Sequence, residues 1–162
     1  MRLLRPAVGA VVLLLAVTSC GDGGKVTEAD YLNAVQAFTD CLSEHGIEAQ
    51  NQGWDPVNRL AVSISYAVDG ERGVPDPQGQ KCEDEHLTDI GEAYADQATP
   101  AMADDLRTYT RTCLTAKGHD IAATVTNLGG FLEHAQEDVV NSCVTSGLAI
   151  LYPDVPAMIG SR

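Results

Sequence analysis

Basic side chains are scarce in this sequence beside acidic ones. Ten Lys and Arg stand against 23 Asp and Glu over 162 residues, a formal net charge of −13. Nucleic-acid binding rests on Lys and Arg neutralising phosphates, so that partner class is disfavoured. Lying flat on an anionic lipid surface is disfavoured for the same reason. The acidity serves solubility first, and docking to a basic partner or to cations second. Catalytic signatures are missing as well. There is no G-x-S-x-G elbow, no phosphate-cradling P-loop, no H-E-x-x-H pair and no EF-hand loop. Neither C-x-x-C nor C-x-x-C-H occurs, which speaks against a thioredoxin-like redox site and haem attachment. No cofactor is implied, and an enzyme is the less favoured reading.

No apolar run is long enough to span a bilayer, which takes roughly 20 residues. The longest opens the chain. Arg2 and Arg5 precede an apolar stretch of eleven residues, 7–17, and then Val17-Thr18-Ser19-Cys20. A short positive region, an apolar core and small residues, in that order, make a secretory signal over residues 1–19 that is removed in the mature chain. The last four residues resemble the lipobox of bacterial lipoproteins. That resemblance implies a diacylglycerol on the Cys20 thiol, cleavage before it, and Cys20 as the new first residue. Two or more acyl chains give stable anchoring. Residues 20–26 then form a lipidated cysteine and a flexible Gly-rich tether, reaching about 20 Å at full extension. The expected location is the outer face of the cell membrane. Loss of Arg2 and Arg5 leaves eight basic residues against 23 acidic ones, a net of −15 over 143 residues. That length suits one domain with a real core, placed at 27–152, with residues 153–162 as a tail.

With Cys20 set aside, Cys41, Cys82, Cys113 and Cys143 remain, and an even count in an exported chain reads as disulfides. Four cysteines allow three pairings. A repeated phrase bears on the choice: "CLSEHG" at 41–46 and "CLTAKG" at 113–118. In the first unit, 27–98, Thr27 and Asp30 form a variant capping box. Apolar residues at 31, 34, 35, 38, 41 and 42 then mark one helix face, and Gly46 ends the helix. In the second unit, 99–147, Thr99 caps and Pro100 takes the first helical position. Met102, Leu106, Tyr109, Cys113 and Leu114 point inward, and Gly118 stops the helix. Alternation from Leu60 to Val68 predicts a strand, and residues 121–125 a shorter one. Cys82 is expected to open a helix with Glu83, Asp84 and Glu85 in its first turn. Leu132, Ala135, Val139, Val140 and Cys143 form a last helical face closed by Gly147, with a short apolar strand after it. The fold class is therefore α+β, predominantly helical, with tandem helix–strand–helix units and a small sheet or hairpin. Cys41–Cys82 and Cys113–Cys143 are the favoured bridges, with 41–113 and 82–143 as the crossed alternative.

The segments "FTDCLSEHGI" at 38–47 and, more weakly, "YTRTCLTAKG" at 109–118 resemble the cysteine segments of small secreted lipoproteins of actinobacteria. The resemblance covers those segments only. It implies an exported, disulfide-bonded domain and carries over no functional residues, since these proteins mostly have no assigned activity.

Few side chains stand out as chemical candidates. His45, His86 and His119 are weak metal candidates, the first and last flanking the helix-ending glycines. Their plain reading is surface or helix-end histidines. The acidic clusters at 83–85 and 104–105 read as capping and solvated faces. Trp54, in the polar stretch "NQGWDP", either anchors a partner or covers the edge of a core. Loops at 50–58 and 69–80 are the best places for function. Three functions follow: a non-enzymatic binding or interaction module of the cell envelope, with an envelope protein as partner; a metal- or solute-binding accessory lipoprotein of a transporter; and a small extracytoplasmic hydrolase.

Overall fold

The computed structural model describes residues 24–68, 71–72 and 76–155. The signal segment, Cys20, most of the tether, the Asp69-Gly70 turn and the tail from 156 lie outside the described residues.

Helix α1 spans Glu28–Glu44 and begins as its sequence dictates. The Asp30 amide donates to the Thr27 hydroxyl at 3.2 Å, and the Thr27 amide donates to the Asp30 carboxylate at 2.9 Å. Tyr31, Ala34, Val35, Phe38 and Leu42 form its buried stripe, while Cys41 is only half-buried. The helix closes in a Schellman motif, in which two backbone amides fold back onto the last carbonyls. The Ile47 amide donates to the Leu42 carbonyl (2.9 Å), and the Gly46 amide to that of Ser43 (3.0 Å). Gly46 sits at φ 75°, which a side chain would strain.

Two strands follow. β1 (Glu48–Trp54) pairs antiparallel with β2 (Val62–Val68), and the two-residue β3 (Glu71–Arg72) pairs with β2. β1 was expected to be loop. Its sequence, EAQNQGW, carries no apolar alternation, because it is an edge strand held by main-chain bonds to β2. The register slips between Asn51 and Trp54, where Gly53 adopts φ 87° and the Asn51 carboxamide oxygen accepts from the Gly53 amide.

Helix α2 spans Pro77–His86 and α3 Thr88–Gln97. Cys82 was expected to open one helix. Instead the Asp76 carboxylate accepts from the amides of Gln78 and Gly79, and Pro77 takes the first turn. The helix therefore starts five residues earlier, and Glu83, Asp84 and Glu85 fall in its second half. A break at Leu87 then separates α3.

In the second unit, α4 spans Asp104–Ala116, not a helix opening at Thr99-Pro100. The amides of Ala101, Met102 and Ala103 are already committed, donating to the carbonyls of Asn58, Thr126 and Pro56 (2.9 Å each). α4 ends in a second Schellman motif: the His119 amide reaches the Leu114 carbonyl (3.1 Å) and the Gly118 amide that of Thr115 (3.0 Å). The strand expected at 121–125 does not form. Arg111 instead donates to the carbonyls of Ala123 and Val125, and Ile121 and Val125 are buried from a coil. The expected "NLGG" turn opens α5 (Leu128–Leu132), capped by Asn127. Phe131 is buried there, and Leu132 is 39% exposed. Helix α6 (Glu137–Leu151) runs straight through the expected C-terminal strand and through Gly147. Gly147 does not end a helix. A Cβ there would lie 2.7 Å from Leu106 Cδ1 and 2.8 Å from Tyr109 Cδ1, so its bare backbone lets α4 and α6 approach.

The bridges are Cys41–Cys82, joining α1 to α2, and Cys113–Cys143, joining α4 to α6, with Cα atoms 5.8 Å apart in both. Each unit thus has its own staple. Each also has its own apolar cluster: Phe38, Leu42, Ile47 and Cys82 in the first, and a larger one around Leu106, Leu114, Phe131, Val140 and Val144 in the second. Val57, from the loop between β1 and β2, belongs to the second cluster and so joins the units. No helix among the described residues is long and apolar enough to cross a membrane.

Candidate functional site

The loop at 55–61 is a stack of side-chain-supported turns, as Asp, Pro and Asn in "DPVNR" favour. The Asp55 carboxylate accepts from the Val57 amide, and the Asn58 carboxamide oxygen from the Leu60 amide. Arg59 is forced to φ 56°. Burial pushes the Asp55 carboxyl above its usual range, against the opposing pull of its bonds to Val57 and Asn58.

This loop holds Arg59 above an aromatic cluster. Tyr31 and Tyr94 stack with centroids 4.7 Å apart, and Trp54 tilts against both, at 5.5 and 5.8 Å. The Arg59 guanidinium lies 5.8 Å from the Trp54 ring, a cation–π distance. Tyr31's hydroxyl accepts from the Val62 amide at 2.8 Å. Burial raises the Tyr31 pKa, and it raises that of Tyr94 with help from Glu28. Trp54 is half-buried at the end of β1, where it covers the edge of this cluster. Sequence reasoning found Trp54 but not Tyr31, Tyr94 or Arg59 as its companions, and no local spacing links them. A recess of about 360 Å³ adjoins Tyr94, lined by Lys25, Val26, Thr27, Gln97 and Ala98, where the chain enters the fold.

On the sheet edge lies a groove of about 500 Å³, between Gln50, Asn51 and Gln52 of β1 and residues 151–155 after α6. Gln52 Nε2 donates to Ser65 Oγ at 3.2 Å, while Gln52 Oε1 is buried with no partner. Tyr152 donates its hydroxyl to Asp105. Burial, then that bond and the charge of Asp105, push the Tyr152 pKa up to about 12. One wall of the groove, Gln50, Asn51 and Gln52, lies in the 50–58 stretch expected as loop and is a strand; the other, Leu151 to Val155, lies outside that stretch.

The histidines do not converge. Among the described residues the one group of three ligating side chains within reach of one another is Cys41, His45 and Cys82, with ligand atoms inside 4.8 Å. Both sulfurs are in the bridge. His86 and His119 belong to no such group. Of the acidic clusters, Asp104 and Asp105 sit in the first turn of α4, where Asp104 meets Arg107 at 3.0 Å on the surface. No histidine among the described residues is hydrogen-bonded to a hydroxyl, thiol or carboxylate. The chain matches no family model, no curated protein and no solved structure.

Proposed function

We propose that the chain is an exported binding module of the cell envelope, held at the outer membrane face by a lipid on Cys20, and that it receives an extended segment of an envelope protein along β1. The observation that carries this is the groove beside β1. β1 lies at one edge of the sheet order, and an edge strand offers main-chain donors and acceptors to an added strand. Gln50, Asn51 and Gln52 line the groove, with Asn51 engaged by the Gly53 amide and Gln52 by Ser65, and Gln52 Oε1 is left unpaired. A buried acceptor without a partner costs about 1–3 kcal/mol, which an incoming N–H would offset. The leader pattern and the two closed bridges fit an oxidising, extracytoplasmic setting.

The test has two arms. Replacing Cys20→Ser moves the chain from the membrane fraction to the soluble fraction; a wild-type chain already soluble in cells overturns the anchoring. A photo-cross-linking residue at position 51 gives a discrete envelope-protein adduct, absent when the probe stands at exposed Thr145 and weakened by Gln52→Leu. No adduct at 51, or equal adducts at both positions, overturns the binding mode.

A further inference from the structure

The two repeated phrases build the same helix end twice and differ at three positions: Ser43 against Thr115, Glu44 against Ala116, and His45 against Lys117. In each, the cysteine lies four residues before the helix cap, and positions four apart share a helix face. The cap residue is His45 in the first unit and Lys117 in the second. An imidazole therefore lies within reach of the first bridge, and the second unit carries a lysine at the same cap position. Only the first trio brings three ligating atoms within 4.8 Å among the described residues.

We infer that Cys41, Cys82 and His45 form a Cys₂His site for one zinc-class cation once the bridge between the two cysteines is reduced. Tetrahedral zinc holds sulfur at about 2.3 Å and nitrogen at about 2.0–2.1 Å, so its ligand atoms stand about 3.3–3.8 Å apart. The two sulfurs, bonded to each other in the bridge, must part to that spacing on reduction, and a ring nitrogen of His45 already lies within 4.8 Å of both. The setting also suits a cation. The carbonyl end of α1 carries partial negative charge, and its last turn holds no basic side chain. Cys82 is fully buried, Cys41 half-buried and His45 exposed, so the ion sits at the surface with its fourth position open to water. The chemistry balances with a dithiol as reductant. The dithiol gives two electrons and two protons to the bridge and is itself oxidised to a disulfide. Zinc then displaces both thiol protons to solvent, and His45 binds as neutral imidazole. This site shares no residue with the groove and does not depend on the lipid anchor.

The experiment uses the purified chain, reduced anaerobically with a dithiol and freed of it, then titrated with Co²⁺. The expected result is one equivalent bound with tetrahedral d–d bands and thiolate charge transfer, bleached by Zn²⁺, and no such bands from the bridged chain. His45→Lys, which copies the second unit, weakens cobalt binding by at least the roughly tenfold that loss of an outer-shell partner causes. Lys117→His installs a second equivalent. The inference is overturned if the reduced chain shows no tetrahedral bands, or if its affinity is unchanged in His45→Lys. It is equally overturned if reduction unfolds the chain and cobalt fails to restore its helical signal.

Discussion

The two units begin alike and finish differently. Both have a helix ending in Cys-Leu-x-x-x-Gly, the same pair of backbone bonds onto the leucine carbonyl and its neighbour, and a bridge to a second helix. After the first glycine, Ile47 is buried and the chain enters a sheet. After the second, His119 is half-buried and the chain runs as coil into α5. A helix terminator and a staple are thus portable, while what they lead into depends on distant partners. The first unit has a small apolar cluster and a sheet. The second has a larger cluster and no strand among the described residues.

This difference predicts unequal reliance on the bridges. In the chain-entropy model, closing loops of 42 and 31 residues stabilises by about 4 and about 3.7 kcal/mol. Removing Cys41 and Cys82 together is expected to melt the first unit ahead of the second, because Cys82 is itself part of that small cluster. Removing Cys113 and Cys143 lowers the melting temperature of the whole chain as one transition. Hydrogen exchange with thermal unfolding reads both, and identical exchange patterns for the two deletions would erase the contrast. Next in size is Gly147→Ala, where overpacking costs about 1–3 kcal/mol and exceeds the gain in helix propensity of about 1 kcal/mol. Gly79→Ala, whose new Cβ meets only the Tyr66 ring at 3.2 Å, costs less.

The smaller effects test the shared device. Gly46→Ala and Gly118→Ala should each cost about 1 kcal/mol, within about 0.5 kcal/mol of each other in chemical denaturation. A larger gap would mean that the two termini are not one motif. pH acts in opposite directions at two carboxylates of the first unit. The Thr27 hydroxyl and then its amide hold Asp30 below its usual range. Its contribution is present above the unfolded value and lost as pH falls through the folded one. Burial raises Asp55, so its contribution is full below the unfolded value and lost as pH rises through the folded one. Thr27→Ala therefore flattens the acid limb of stability, and Asp55→Asn flattens the rise toward acid. On the alkaline side, Tyr152 contributes fully below its unfolded value near 10 and loses that contribution as pH climbs through about 12. Tyr152→Phe removes this loss, measured by denaturation across that window.

What was legible in the sequence was local. The Thr27–Asp30 box and the two glycine terminators link residues within six positions, so their spacing is written in order. β2 declared itself through alternation. β1 did not, since its place is set by β2 pairing across the 55–61 loop. The start of α4 was misread because the carbonyls that take the amides of 101–103 belong to Pro56, Asn58 and Thr126. The 121–125 strand failed because Arg111, a helix away, claims its carbonyls. The candidate site divides the same way. Trp54 and the cysteines stood out by type, whereas Arg59, Tyr94 and the unpaired oxygen of Gln52 acquire meaning only from neighbours far along the chain.

The covalent staples also set how far this molecule can stretch. A chain gripped at its two ends cannot pay out the segments enclosed by its cross-links. Those spans of 41 and 30 residues would otherwise extend by about 140 and 100 Å. Pulled from its two ends, such a body can lengthen only in the residues outside its clasps, chiefly those at 83–112 between them.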